Sequence, residues 1–426
     1  MAAKDYTTMW ESLGLNLEAH NGLLQVLGQA YGDIFLTQKS RPKGMQYLDF
    51  VLSEIHGLRV EELLKAKAEG RKVIGTFCLY VPEELILAVD GVCVGLCAGA
   101  SVGTEQAERY LPRNTCALIK SFFGFKLAGL CPYTESCDLV IGETTCDGKK
   151  KAYEIFGEFK DTFVLEVPHM KGPEDKRLWL AELKRLAAKI EEVCGRAIAA
   201  EGLKRGIRTV NAKRAALQRL ARLRRARPAP ISGLDALLIN QVAFYDDPPR
   251  FTAQVNAICD ELEARIAKGE GVAPADAQRI LVAGCPMAAP NWKVPAVVEQ
   301  AGAVIVGEES CVGERGTRNL VAEDGETVDE MLAAIADRYL NIDCACFTPN
   351  TERTDHVVEM ARDLQADGVV HYALLFCTPY LMEARGVRQR ARDEGIPMLE
   401  VETDYSMEDM GQLATRVQAF LEVLRG

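Results

Sequence analysis

Short apolar runs that end in a cysteine constrain the fold of this chain more than any other feature. Residues 138–145 (DLVIGETT) run directly into Cys146, and residues 368–376 (GVVHYALLF) run directly into Cys377. Helical patterns separate these runs from the next ones, which is typical of parallel strands joined by crossover helices. In open α/β sheets, ligands bind at the carboxyl ends of the strands. The sequence therefore predicts thiols gathered at the binding edge of a parallel sheet.

The alternation of strands and helices occurs twice along the chain. We predict an α/β fold with two doubly wound parallel-sheet lobes, the first over residues 71–173 and the second over residues 279–426. Residues 1–70 are predicted to form an N-terminal helical segment. Residues 174–278 are predicted to form a helical connector between the lobes.

Cysteine positions indicate that the two lobes are related by internal pseudo-symmetry. The tripeptide RYL precedes Cys116 in the first lobe and Cys344 in the second. Cys146 and Cys377 also match, because each follows a buried apolar run. If the lobes face each other, these thiols converge in the cleft between them.

Composition favours metal or redox chemistry for part of the fourteen cysteines. The start of the chain lacks the pattern of a signal peptide, so we predict a cytoplasmic protein, where a disulfide framework is not expected. No apolar run approaches the roughly 18 residues of a membrane span. The net charge of −11 argues against nucleic acid as a partner.

Nine cysteines near strand ends are candidate ligands of iron, which is held well by soft, anionic thiolate sulfur. Those of the first lobe are Cys97, Cys116, Cys131 and Cys146, and those of the second are Cys285, Cys311, Cys344, Cys346 and Cys377. The absence of CxxC pairs leaves a zinc ribbon or a bacterial ferredoxin site unsupported. From spacing alone, buried structural thiols remain the alternative.

Three segments resemble the superfamily of 2-hydroxyacyl-CoA dehydratases and benzoyl-CoA reductases. They are CALIKS (residues 116–121), DLVIGETTCDGKK (residues 138–150) and DGVV (residues 367–370) leading to Cys377, and the resemblance runs from about residue 71 to the end. It implies a [4Fe-4S] cluster on three cysteines, which correspond here to Cys116, Cys146 and Cys377.

Additional strand-end cysteines make the chain more similar to the double-cubane cluster proteins of that superfamily. This resemblance implies an [8Fe-9S] cluster on six ligands: Cys116, Cys131, Cys146, Cys311, Cys344 and Cys377. Further candidates for the six ligand positions are Cys97, Cys285 and Cys346. We predict structural roles for the other five cysteines, which are Cys78, Cys93, Cys137, Cys194 and Cys259. The implied activity is that of a homodimeric oxidoreductase of anaerobic metabolism. It would reduce small molecules such as acetylene with electrons from a separate ATP-hydrolysing iron–sulfur reductase.

Two alternatives stay open. One is the [4Fe-4S] subunit of a 2-hydroxyacyl-CoA dehydratase or acyl-CoA reductase, and the other is a non-catalytic electron-transfer or cluster-scaffold protein. Neither a GxGxxG motif nor a P-loop occurs in a strand–helix context, so any ATP dependence would belong to the partner.

Polar residues near the predicted ligands are candidates for further roles. We predict proton delivery by Glu143 and His371, with Glu308, Glu309 and Tyr372 as neighbours; the alternative is that these are satisfied polar groups within strands. The lysines at 149–151 could offset cluster charge or form a solvated helical turn.

Residues 203–227 contain ten Lys and Arg and no acids. This stretch could be a docking surface for the reductase, or a solvated helix face with Ile207, Val210, Leu217 and Leu220 pointing inward.

Overall fold

The structure is a computed structural model that describes residues 4–425. Four helices precede the first strand: α1 (Thr7–Ser12), α2 (Leu17–Tyr31), α3 (Met45–Ser53) and α4 (Leu58–Ala68). The Asn16 side chain caps α2 by accepting the Ala19 N–H at 3.2 Å. A π-helical turn (Gly32–Leu36) follows α2 and carries Phe35, whose ring meets Trp292 of the second lobe edge-on at 5.0 Å. The N-terminal helices therefore brace the second lobe.

The first lobe contains one four-stranded parallel sheet. Its elements are β1 (Val73–Thr76), α5 (Glu83–Ala88), β2 (Val92–Gly95), α6 (Thr104–Ala107), α7 (Ala117–Leu127), α8 (Pro132–Ser136), β3 (Leu139–Glu143), α9 (Asp147–Phe156) and β4 (Thr162–Leu165). The strand order is β2-β1-β3-β4. Residues of β1 and β3 are buried throughout, which explains why both strands read as continuous apolar runs.

Four long helices connect the two sheets: α10 (Pro173–Cys194), α11 (Ala200–Leu223), α12 (Gly233–Val242) and α13 (Pro248–Ala267). The α10 helix ends at Gly195, whose φ of 63° is the left-handed conformation that favours glycine at this position. The residues of α11 predicted to face inward, Ile207, Val210, Leu217 and Leu220, are all buried, so that prediction is confirmed.

The second lobe repeats the sheet of the first. Its elements are β5 (Arg279–Gly284), α14 (Lys293–Gln300), β6 (Val304–Glu309), a 3-10 turn (Glu314–Gly316), α15 (Val328–Leu340), α16 (Thr351–Asp363), β7 (Gly368–Leu374), α17 (Thr378–Asp393), β8 (Met398–Thr403) and α18 (Met410–Leu424). Its order, β6-β5-β7-β8, matches that of the first sheet strand for strand. The predicted α/β fold with two parallel-sheet lobes is confirmed.

The two lobes pack directly against each other. The Tyr80 hydroxyl of the first lobe donates to the Ile342 carbonyl of the second at 2.8 Å. The backbone N–H of Gly99 donates to the Ala289 carbonyl at 3.0 Å, and a Cβ at Gly99 would lie only 2.0 Å from the Ala288 carbonyl oxygen. Glycine is required at this approach of one lobe to the other.

Within residues 4–425, no helix has the length and apolar character needed to span a membrane.

Candidate metal centre

The carboxyl ends of the strands in both sheets open into one cavity of about 1210 Å³ between the lobes. Nine thiols line it: Cys78, Cys97, Cys116, Cys146, Cys285, Cys311, Cys344, Cys346 and Cys377. All fourteen cysteines are free. The cavity therefore combines the place where α/β sheets bind ligands with a concentration of soft sulfur donors.

Most of these thiols occur as topological pairs in the two lobes. Cys78 and Cys285 follow the first strand of each sheet, and Cys97 and Cys311 follow the second strand. Cys146 and Cys377 follow the third strand of their sheets, as the sequence predicts. Because both sheets have the same strand order, equivalent thiols of the two lobes line the same cavity.

Four thiols, which we call the Cys311 group, lie at one part of the cavity: Cys78, Cys311, Cys344 and Cys346. The Cys78 thiol is a neighbour of Cys311 and the Cys344 thiol is a neighbour of Cys346, and Tyr80 lies close to all four. The Arg315 guanidinium donates to the Cys311 Sγ at 3.4 Å. The neighbouring Cys78 thiol is the main cause that lowers the pKa of Cys311, and the nearby charges of Arg315 and Lys149 lower it further. The charges of Arg315 and Lys149 thus stabilise thiolate sulfur in this group.

A second set of four thiols, which we call the Cys377 group, consists of Cys116, Cys146, Cys285 and Cys377. The Cys377 thiol is a neighbour of the thiols of Cys116 and Cys285. The Leu374 N–H donates to the Cys285 Sγ at 3.3 Å. The Cys116–Cys377 contact and burial raise the pKa of Cys116, and burial raises the pKa of Cys146.

Three members of the Cys377 group are N-cap residues of helices. Cys116 caps α7, Cys146 caps α9 and Cys377 caps α17. The Lys149 N–H donates to the Cys146 Sγ at 3.4 Å, whereas the Cys116 and Cys377 side chains accept no cap hydrogen bond from their helices. Helix N-termini offer free N–H donors and a partial positive charge, both of which stabilise anionic sulfur.

The structure brings together five of the six predicted ligands and places the sixth elsewhere. Cys131 lies outside the cavity: it caps α8, its Sγ accepts the Thr134 N–H at 3.5 Å, and it lines a separate space of about 50 Å³. Cys97 does line the cavity, but its Sγ donates to the Phe77 carbonyl at 2.7 Å. That bond engages the thiol with the backbone of its own lobe.

Cys78, for which a structural role is predicted from the sequence, lines the cavity. The apolar run over residues 71–81 predicts one long strand, yet β1 ends at Thr76 and the chain then turns away from the sheet. Cys78 therefore stands at a strand end like the other candidates. The pairing with Cys285 in the internal repeat is the sequence signal that could have identified it.

The two predicted proton donors occupy different surroundings. Glu143 ends β3, is fully buried and forms an ion pair with Lys149, which lines the cavity. His371 is buried in β7, does not line the cavity, and has its pKa lowered to about 3 by burial. Glu308 pairs with Arg224, while Glu309 pairs with Arg315 and Arg353.

The donor set consists of cysteine thiols, the side chains that hold iron–sulfur clusters. Among residues 4–425, no three His, Cys, Asp or Glu side chains already stand around one ion position. In a cluster each cysteine binds a different iron, so that its ligands are spread over the walls of a cavity. Eight thiols in two groups of four match that requirement.

Comparisons with known proteins identify the family to which the chain belongs. The family model described as "2-hydroxyglutaryl-CoA dehydratase, D-component" matches residues 78–424. The Escherichia coli (strain K12) protein "Putative dehydratase subunit YjiM" is 38% identical over 365 residues, which cover 85% of this chain and 94% of the relative. The "(R)-phenyllactyl-CoA dehydratase beta subunit" of Clostridium sporogenes is 26% identical, over 83% of this chain and 92% of the relative. One component of the benzoyl-CoA reductase of Thauera aromatica is 22% identical, over 78% of this chain and 85% of the relative. The chain therefore belongs to the 2-hydroxyglutaryl-CoA dehydratase D-component family.

Proposed function

We propose that the cavity holds an iron–sulfur cluster and that the chain is the cluster-carrying component of a 2-hydroxyacyl-CoA dehydratase or a related reductase. The observation that carries this proposal is the convergence of nine thiols, eight of them in the Cys311 and Cys377 groups, on one cavity at the strand ends. The names of the relatives favour a dehydratase subunit over the double-cubane reductase implied by the sequence resemblance. The electron donor in either case is a separate ATP-hydrolysing iron–sulfur protein.

For a single cubane, we assign Cys116, Cys146 and Cys377 as ligands, because all three are N-cap residues of helices whose N-termini face the cavity. A bound cluster would supply single electrons of low potential. The chain itself contributes burial, the N–H donors of three helix N-termini, and the positive charges of Lys149 and Arg315. Burial keeps water away from the reduced site, and the donors and charges stabilise the anion.

A second candidate function, the double-cubane reductase of small molecules, is favoured by the Cys311 group. A single cubane leaves those four thiols without a role, whereas two joined cubanes need six ligands from the two groups. In this case we assign Cys116, Cys146 and Cys377 together with Cys311, Cys344 and Cys78. Cys78 replaces Cys131, which lies outside the cavity. The homodimer stays a prediction of the resemblance.

Iron and sulfide quantitation after anaerobic reconstitution tests both candidates. About four irons per chain supports the single cubane and about eight supports the double cubane. Cys311→Ser should leave iron content unchanged in the first case and reduce it in the second. Cys377→Ser should reduce it in both, and Cys131→Ser is the matched control that should retain it.

Turnover then separates the activities. With an ATP-hydrolysing reductase as electron donor, dehydration of a 2-hydroxyacyl-CoA supports the dehydratase, and reduction of acetylene supports the double-cubane enzyme. A cluster that takes up electrons without turning over either substrate would support the electron-transfer alternative. A wild-type chain that binds no iron under these conditions would refute the proposal.

A further inference from the structure

A single lysine side chain stands in the wall of the cavity where the two cysteine groups meet. Lys149 lies in the first turn of α9, is buried, and lines the cavity. Its Nζ forms an ion pair with Glu143, whose carboxylate is fully buried at the end of β3. The neighbouring Lys150 and Lys151 point outward and are exposed. Of the three consecutive lysines, only Lys149 is built into the site.

The surroundings of Glu143 hold this ion pair in place. The Tyr153 hydroxyl lies 3.5 Å from each carboxylate oxygen of Glu143, and the Thr145 hydroxyl lies 3.4 Å from Oε1. Strand β3 and helix α9 thus both fix the position of the ammonium group. Lys149 therefore cannot be treated as a mobile surface charge.

The ammonium group has more hydrogen-bond donors than the chain satisfies. A lysine carries three N–H donors. Within residues 4–425, Glu143 is the only group that accepts a hydrogen bond from Nζ. A buried charge is stable only when its remaining donors are also satisfied. The remaining donors of Lys149 are therefore available to an acceptor in the cavity that this side chain lines.

The position of Lys149 relates it to both cysteine groups. It lines the same cavity as Cys78 and Cys311 of the Cys311 group and Cys146 of the Cys377 group, and its charge acts on all three side chains. Its backbone N–H donates to the Cys146 Sγ at 3.4 Å. Arg315, in contrast, contacts only the Cys311 group. Lys149 is thus the cation at the junction of the two groups.

We propose that Lys149 is a positioning residue whose free N–H groups bind an anionic sulfur of the cluster at the junction of the two cysteine groups. The inference rests on the proposed function, because it requires a cluster in the cavity. It is independent of whether the cluster is single or double. The fixed positive charge stabilises the more negative, reduced cluster, and this raises its midpoint potential.

Redox titration followed by EPR tests this role directly. Wild type, Lys149→Met, Lys149→Arg and Lys150→Met are reconstituted anaerobically, and iron per chain is measured first. We expect Lys149→Met to shift the midpoint potential to a more negative value or to lose part of its iron. Lys149→Arg keeps the charge and should restore the wild-type behaviour. Lys150→Met, on the exposed side of the same helix, should match wild type.

The outcomes separate this inference from the proposed function. A Lys149→Met chain with full iron content and the wild-type midpoint potential would overturn the role of Lys149 alone. If that chain fails to fold, as judged by circular dichroism, Lys149→Gln provides the same comparison with a polar, neutral side chain. A wild-type chain without iron would overturn the proposed function itself.

Discussion

Two arginine side chains beside the Cys311 group share one buried carboxylate. Arg315 donates from Nε to Glu309 Oε1 at 2.6 Å, and Arg353 donates to Glu309 Oε2 at 2.9 Å. Arg353 also pairs with Glu383, and both guanidinium groups lie over the Tyr380 ring. The two arginines hold the pKa of Glu309 below its usual value despite its burial. This network fixes the donor that reaches the Cys311 sulfur.

Removal of the carboxylate that Arg315 and Arg353 share should therefore lower the stability of the fold. We expect Glu309→Gln to lower the free energy of unfolding by about 3 kcal/mol or more, because two buried cations lose their common partner. Urea unfolding of the iron-free chain measures the change. The control is Glu400→Gln, which removes the partially exposed pair with Arg388 and should cost no more than about 1 kcal/mol. Equal losses in the two variants would contradict the role of the network.

A second buried pair should make stability depend on pH. The His20 Nε2 and His56 Nδ1 lie 2.9 Å apart, and both side chains are buried. Burial lowers the pKa of His20 to about 4, and burial together with the His20 charge lowers the pKa of His56 to about 3. In the unfolded chain the pKa of each imidazole returns to about 6.5. The unfolded state therefore binds more protons between pH 4 and 6.5.

It follows that this pair stabilises the fold fully above about pH 6.5 and that the contribution is lost as the pH falls toward 4. For His20 alone the loss amounts to about 3 kcal/mol. His20→Gln keeps a hydrogen-bonding group but does not titrate, so its unfolding free energy should vary less with pH. Urea unfolding at several pH values across this range provides the measurement. An unchanged pH dependence in the variant would contradict the prediction.

Most of the basic stretch over residues 203–227 lies in helix α11. Seven of the ten Lys and Arg in residues 203–227 form ion pairs with acidic residues from other segments. Examples are Arg214 with Glu84 and Arg224 with Glu308. The acidic partners are distant in sequence, so the stretch looked like an unpaired basic surface. Its ion pairs favour an internal structural role over docking.

Glycines of α11 allow it to lie against α5. A Cβ on Gly206 would lie 2.5 Å from the Glu84 carbonyl oxygen, and one on Gly202 would lie 2.4 Å from that of Ala88. We expect Gly206→Ala to destabilise the chain by about 1–3 kcal/mol through overpacking, although alanine favours helix by about 1 kcal/mol. Thermal or urea unfolding measures the change.

The control for that change is Gly22→Ala in α2. A Cβ at Gly22 meets no atom within 4 Å, so helix propensity alone acts there. This variant should be neutral or more stable by up to about 1 kcal/mol. A Gly206→Ala chain as stable as the Gly22→Ala chain would contradict this prediction. It would show that α5 and α11 can move apart without loss of stability.

Local sequence patterns predict much of the fold of the molecule and part of the candidate site. The lobes are predictable because buried parallel strands read as apolar runs, and Cys146 and Cys377 are found because they follow such runs. Cys78 is not found this way, because only pairing with β2 and β3 shows that β1 stops at Thr76. The Lys149–Glu143 pair also depends on the turn between strand and helix. The resemblance to double-cubane cluster proteins pointed to Cys131, which the fold places at another cavity.

The distribution of the thiols over both lobes leads to a prediction about the whole molecule. Cys146 and Cys377 come from different sheets, so a cluster held by both adds bonds between the lobes that the unfolded chain cannot form as a set. Ligand binding to the folded state alone raises stability by mass action. The reconstituted chain should therefore melt several degrees above the iron-free chain in anaerobic calorimetry. Cys377→Ser should lose most of this difference, whereas Cys194→Ser, at the end of α10, should retain it. Equal melting temperatures with and without iron in the wild-type chain would mean that the cluster does not bridge the lobes.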